Sequence, residues 1–145
     1  MVAAKNANEQ AVLDFFETLS TGDLDALVPH LHEDASWEPM LKDIPGAGRH
    51  EGRDQIINGF LAPVRGAFRP GDPKSFVDVI VSDGDRVVVE SHATGQRADG
   101  KVYNNRYAWV FELRGGKVLN IREYMDSLYV ARFFDMIPAA PAEPL

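Results

Sequence analysis

Val12, Phe15, Phe16 and Leu19 recur at helical spacing with polar residues between them. This pattern predicts an amphipathic helix with Asn8 as its N-cap and Gly22 just past its end. Asp23 then caps a second, short helix whose inner face is Leu24, Leu27, Val28 and Leu31. Ala35 to Met40 reads as a short strand stopped at Pro39, and a Gly- and Pro-rich loop follows to about Gly52. Asp54 opens a third helix that carries Ile56, Ile57, Phe60 and Leu61, with Pro63 as its end.

Beyond Pro73 the periodicity changes from helical to alternating. Asp83-Gly84, Asp99-Gly100 and Gly115-Gly116 are hairpin signals that separate four β-rich runs, roughly 74–82, 85–96, 101–113 and 117–126. Such a series makes an antiparallel meander. Ser127 to Met136 carries Leu128, Val130, Phe133 and Phe134 and suits a closing helix, and the Pro-rich tail 137–145 reads as loose. Helices first and strands after them give an α+β fold: a curved four-stranded meander plus a short strand, packed against three N-terminal helices. With no repeat and no linker, one domain spans 1–145, its core about 8–135.

Alternation along the last strand puts Arg122, Tyr124 and Asp126 on one face and Ile121, Glu123 and Met125 on the other. On the strand before it, Tyr103, Tyr107, Trp109 and Phe111 share one face. If the helices cover the opposite face, this aromatic row is a large apolar surface, and it predicts a homodimer joined through the outer face of the sheet.

Composition narrows the function classes. A formal charge of −7 without a basic cluster argues against nucleic acid or an anionic membrane as partner. The absence of cysteine excludes disulfides, thiolate nucleophiles and Cys-based metal sites. No stretch approaches the ~20 apolar residues of a membrane span, and MVAAKNANEQ lacks an apolar signal core. A soluble, cytoplasmic protein follows by default. His30 and His32 are two apart on a predicted helix and point to different sides, with His50 far along a loop, so no metal site is expected. Gly46, Gly48 and Gly52 sit in no strand-turn-helix frame, so no nucleotide cofactor is expected either.

Three stretches together carry a family resemblance: STGDLDALVPHLHEDASW after the first helix, then the GRDQI segment, then the ending GKVLNIREYMD. The chain resembles the nuclear transport factor two-like superfamily. Within it, the chain is similar to the SnoaL-like group of polyketide cyclases, ketosteroid-isomerase relatives and limonene epoxide hydrolases. The resemblance implies a cone-shaped scaffold with a deep, mostly apolar pocket between sheet and helices, a few acid–base groups at its floor, no cofactor, and often a dimer. It does not by itself imply a reaction, because one scaffold hosts many chemistries.

Position by position, the isomerase machinery is absent. The tyrosine, the base and the second aspartate of the steroid isomerases fall at Phe15, Pro39 and near Ala108, none of which can donate or accept a proton. The last aspartate of the epoxide hydrolases matches Asp126 in Tyr124-Met125-Asp126, while their Arg-x-Asp pair falls at Glu90-Ser91-His92. The cyclases pair an aspartate with a histidine, which Asp126 and His92 fit. The resemblance therefore implies Asp126 as base, with His92 and Glu90 as titratable partners. It implies a substrate site drawn from Trp37, Arg106, Tyr124, Phe15, Phe60 and Ala108.

The implied chemistry is general acid–base work on a small, mostly apolar carbonyl or epoxide compound, in which a proton leaves a carbon next to a carbonyl. A structural reading stands beside each residue. Asp126 precedes a predicted helix and is a favoured N-cap, and Glu90 and Arg106 could form a cross-strand ion pair. Two functions stay open: a cofactor-free enzyme, and a small-molecule-binding module that uses the same cavity without catalysis. Convergence of Asp126 and His92 in one pocket separates them.

Overall fold

Asn6 begins the first helix, α1 (Ala7–Thr21), by accepting the Glu9 backbone N–H at 2.9 Å. Glu9 in turn accepts the Lys5 backbone N–H at 3.1 Å, which closes a reciprocal cap two residues earlier than the predicted Asn8. The computed structural model describes residues 2–138, so the expected tail lies, from 139 onward, outside the described residues. Val12, Phe15, Phe16 and Leu19 form the buried face of α1, and Gly22 ends it in the left-handed conformation at φ 80°.

The second predicted helix is a short 3₁₀ segment, Asp25–His30, in which Asp23 Oδ1 accepts the Ala26 N–H. Pro29 lies inside it and supplies no N–H, so the winding stops early. The chain then enters strand β1 (Leu31–Pro39), four residues sooner than the predicted start at Ala35. A two-residue strand, β2 (His50–Glu51), pairs with β1 at Ser36 and Trp37. The third helix begins as a π-wound segment, Gln55–Leu61, and continues as α2 (Ala62–Gly66). Ile56, Ile57, Phe60 and Leu61 are all buried on it. Pro63 does not end the helix: it sits in the first turn of α2, where a missing N–H is tolerated.

The meander strands are β3 (Lys74–Asp83), β4 (Arg86–Gln96), β5 (Val102–Arg114) and β6 (Lys117–Met125), followed by helix α3 (Ser127–Phe133). Gly115 and Gly116 have φ 59° and 76°, the two positive values that a tight two-residue hairpin needs. The curved six-stranded sheet has the order β2-β1-β6-β5-β4-β3, mostly antiparallel, with β1 running parallel to β6. Among the described residues no helix is long and apolar enough to cross a membrane.

Register decides which alternate residues face the helices. Phe111 pairs with Ile121, Trp109 with Glu123 and Tyr107 with Met125. Phe111 and Ile121 are fully enclosed with Phe15 and Phe16 of α1, so this parity faces inward. The aromatic row at 103, 107, 109 and 111 is therefore core and cavity wall, not an outer surface: Tyr103, Trp109 and Phe111 are buried. The outer face carries other apolar groups instead, with Phe76, Val79, Val81 and Val88 exposed on β3 and β4.

Two tethers close the open end of the cone. Arg97 donates to the Phe133 carbonyl at 2.7 Å and Lys101 to the Arg132 carbonyl at 2.9 Å, which fixes the end of α3 to the β4–β5 turn. At Gly95 the chain of residues 67–73 passes so close that a Cβ there would lie 2.9 Å from the Pro73 Cα. That approach sets Phe68 and Pro73 beside the same opening.

Candidate active site

Between the inner sheet face, α2, α3 and the Leu41–Gly46 loop lies a cavity of about 400 Å³. Its wall is apolar, with Phe60, Phe68, Val64, Met125, Val130 and Phe134 among the lining residues. Its polar groups are three: the Glu123 carboxyl and the hydroxyls of Tyr103 and Tyr107. A larger groove of about 550 Å³ runs between Glu38–Ile44 and α3, but no buried titratable group lines it.

Among the described residues Glu123 is the only charged side chain in the cavity lining. It occupies an inward position of β6 between Ile121 and Met125. Trp37 Nε1 donates to Glu123 Oε1 at 2.9 Å from the core side. The second carboxyl oxygen has no hydrogen-bond partner among the described residues and is not sealed in, so it faces the cavity. Burial pushes this carboxyl up to about 7, and the Trp37 N–H, which favours the ionised form, offsets only part of the rise. Glu123 is half-buried by surface exposure, yet its exposed part borders the cavity rather than open solvent.

The two phenols form a chain with Asn105. Asn105 Oδ1 accepts the Arg106 N–H at 2.9 Å, which orients Nδ2 as donor to the Tyr103 hydroxyl at 3.2 Å. The Tyr103 hydroxyl is in turn hydrogen-bonded to that of Tyr107. Burial lifts Tyr103 to about 12 and raises Tyr107 well above the ordinary phenol range, and the charge of Glu123 adds to the rise in both. Both phenols stay protonated near neutral pH. The cavity thus holds one carboxyl raised toward neutrality by burial and a hydrogen-bonded phenol pair with one O–H left to donate to a ligand.

Most of the residues predicted for the site lie elsewhere. Asp126 accepts the Tyr129 N–H at 3.0 Å as the N-cap of α3 and is not among the cavity residues. The alternation that groups it with Tyr124 and Arg122 leads to the outer face, where Tyr124 is 42% exposed. His92 pairs with Phe76 and Arg106 on that outer face, and its Nδ1 meets the Asp78 carboxylate at 2.8 Å. Asp126 and His92 therefore do not converge on the cavity. The polar pair of this face is Asp78–His92 rather than Glu90–Arg106.

Glu90, Arg106 and His92 do come together, around an outer depression that they share with Asp78 and Asn104. Ala108 pairs with Tyr124 on the same outer face. Phe15 is enclosed in the core against Trp37, Phe16 and Phe111. Trp37 stands behind Glu123 at 2% exposure. Phe60 lines the cavity. Among the described residues no three His, Asp or Glu side chains gather as a metal site.

The residues missing from the sequence reading are Glu123, Tyr103 and Tyr107. A signal existed for each. Glu123 is a carboxylate in an otherwise apolar alternate series, Ile121, Glu123, Met125, and the tyrosines belong to the aromatic row that shares its face.

The family model of the SnoaL-like domain matches residues 12–121. The chain belongs to the SnoaL-like family. Solved structures of this family's fold agree with that placement. TerC, crystallised with polyporic acid, is 20% identical and superposes with a TM-score of 0.78 over 90% of this chain and 99% of its own. A candidate SnoaL-like polyketide cyclase from Jannaschia sp. CCS1 is 22% identical, with a TM-score of 0.76 over 95% of this chain and 99% of that one. Bal32a, from a soil-derived mobile gene cassette, is 28% identical with a TM-score of 0.73, covering 85% of this chain and 92% of its own. No curated protein matches the sequence. In this SnoaL-like domain the carboxyl at the cavity floor comes from the penultimate inward position of β6, Glu123, and not from the residue that follows the strand.

Proposed function

We propose that this SnoaL-like protein is a cofactor-independent acid–base enzyme acting on a small, mostly apolar carbonyl compound, with Glu123 as the base. One observation carries the reading: a carboxyl raised toward neutrality by burial shares an apolar cavity with a hydrogen-bonded pair of phenols. The Glu123 carboxylate takes a proton from the carbon next to the substrate carbonyl. The C–H electron pair becomes a C=C bond, and the carbonyl pair moves onto oxygen, where the free O–H of the phenol pair donates to it. Return of the proton to a different carbon isomerises the substrate. Attack of the enolate carbon on a second carbonyl of the same molecule closes a ring, and the proton passes to the new alkoxide.

The relatives are in keeping with this reading, since TerC was crystallised with a small organic molecule and another neighbour carries the name of a polyketide cyclase. Epoxide opening draws no group from Glu90, Ser91 or His92: Ser91 accepts the Trp109 indole N–H within the core, and its neighbours face outward.

Exchange of the α-hydrogens of 2-tetralone for deuterium in D₂O, followed by proton NMR, tests the proposal. The parent protein is expected to accelerate exchange above buffer, and folded Glu123→Gln to lose on the order of a hundredfold or more of that acceleration. Tetralone binding without acceleration in the parent would favour a binding module. Parent-rate exchange by Glu123→Gln would sink the assignment of the base.

A homodimer through the outer sheet face is part of the proposal, now supported by the exposed Phe76, Val79, Val81 and Val88 rather than by the aromatic row. Light scattering at micromolar concentration checks it: a mass near twice 16.1 kDa is expected, and a monomer removes this element.

A further inference from the structure

Glu123 is a buried carboxyl without a counter-ion. Among the described residues the cavity lining contains no Lys, Arg or His. The Trp37 N–H holds one carboxyl oxygen at 2.9 Å, and the other turns to the cavity with no hydrogen-bond partner among the described residues. A carboxylate withdrawn from water and left unpaired is the costly half of an ion pair. A ligand can carry in the other half.

The neighbours of that free oxygen suit a cation as well. Glu123 pairs with Trp109 and Met125 with Tyr107, so Glu123 and Tyr107 are diagonal neighbours on the inward face of β5 and β6. The Tyr103 and Tyr107 hydroxyls are bonded to each other, and Asn105 donates to Tyr103. These bonds occupy only part of the phenol lone pairs, and the remainder can accept N–H groups. Phe60, Phe68 and Phe134 border the same space with aromatic rings, which attract a cation and give an apolar frame its contacts. The formal charge of the chain, −7, draws cations toward it.

We propose that this cavity is a binding site for a primary amine in its ammonium form, carried on an apolar frame. The free Glu123 oxygen meets the charge, a phenol oxygen accepts a second N–H, and the rings enclose the frame. The site does not depend on catalysis. One consequence does rest on the reading of Glu123 as base: a bound ammonium ion occupies the oxygen that takes the proton, and so blocks the exchange of 2-tetralone.

Calorimetric titration of the parent protein with 2-naphthylmethylamine and its neutral match, 2-naphthylmethanol, tests this. At pH 8 the amine is an ammonium ion and is expected to bind about tenfold or more tighter than the alcohol. With Glu123 titrating at about 7, the amine must displace its proton at pH 5.5. Amine affinity should then fall roughly tenfold or more, while the alcohol changes less than about threefold. Folded Glu123→Gln should lose both the preference and its pH dependence.

An amine that binds no tighter than the alcohol at pH 8, or as tightly at pH 5.5 as at pH 8, overturns the inference, and neither result needs the variant. The two readings fail separately. Amine selectivity without tetralone exchange removes the catalytic role and leaves this site standing. Exchange without amine selectivity removes the amine site alone.

Discussion

The two faces of the β3–β6 sheet differ in chemistry. On the outer face Asp78, Glu90, His92 and Arg106 surround a depression open to water, and the His92 and Asp78 side chains are 38% and 49% exposed. On the inner face one carboxyl, Glu123, stands among aromatic rings and is pushed up to about 7 by burial. More titratable groups lie outside, yet the carboxyl that burial raises toward neutrality lies inside. A carboxylate becomes a base for neutral-pH chemistry when it is taken out of water without a counter-ion, not when it gathers charged neighbours.

The largest expected contrast is in catalysis. Glu123→Gln should depress 2-tetralone exchange on the order of a hundredfold, whereas Glu90→Gln and His92→Gln should leave it within about twofold. A large loss from either outer-face change, measured on folded protein, would break the comparison.

Stability against pH is the next contrast. The folded Glu123 titrates at about 7 against an ordinary value of 4.5. Its raised value favours the folded state fully below pH 4.5, and that contribution is lost as pH rises through about 7. Relative to the parent, Glu123→Gln should therefore gain stability across this window, by at most about 3 kcal/mol, and hold it above. At pH 4.5 and below the two should be level on this account. Urea unfolding at several pH values reads the difference, and an equal gap at pH 4.5 and pH 8.5 would contradict it.

Trp37→Phe sharpens the same point. It removes the one N–H that favours the ionised carboxyl, so the acid limb of the exchange profile should move up by roughly one pH unit. An unmoved limb in a folded variant would show that the indole does not tune Glu123.

The smallest effect is expected at Asp126. Asn caps about as well as Asp, so Asp126→Asn should change stability by under about 0.5 kcal/mol and leave exchange at the parent rate. Asp126→Ala should cost about 1 kcal/mol through the lost bond to the Tyr129 N–H. A hundredfold loss of exchange in Asp126→Asn would return the base to that position.

Much of the fold was legible because its signals are local. The Val12–Leu19 stripe, the Gly115-Gly116 turn and the alternation of β6 each depend on a few neighbouring residues. The start of β1 was not legible, since Leu31-His32-Glu33-Asp34 has no strand pattern: Leu31 pairs with Val118 of β6, and the register then shifts before pairing resumes at Ser36. The site was half legible. Alternation separated Asp126 from Glu123 correctly, but which series faces inward depends on where α1 packs, a contact distant in sequence that no local pattern reports. Asp126 drew the catalytic role from its family context, while its position at the start of α3 makes it a cap.

Carbon-13 NMR of protein labelled at the Glu side-chain carboxyl carbon tests the central claim most directly, because it needs no substrate. The account predicts one glutamate resonance that titrates at about 7, well separated from the others, and that is missing from the Glu123→Gln spectrum. Titration of the Glu123 resonance near its ordinary value of 4.5 would contradict the account.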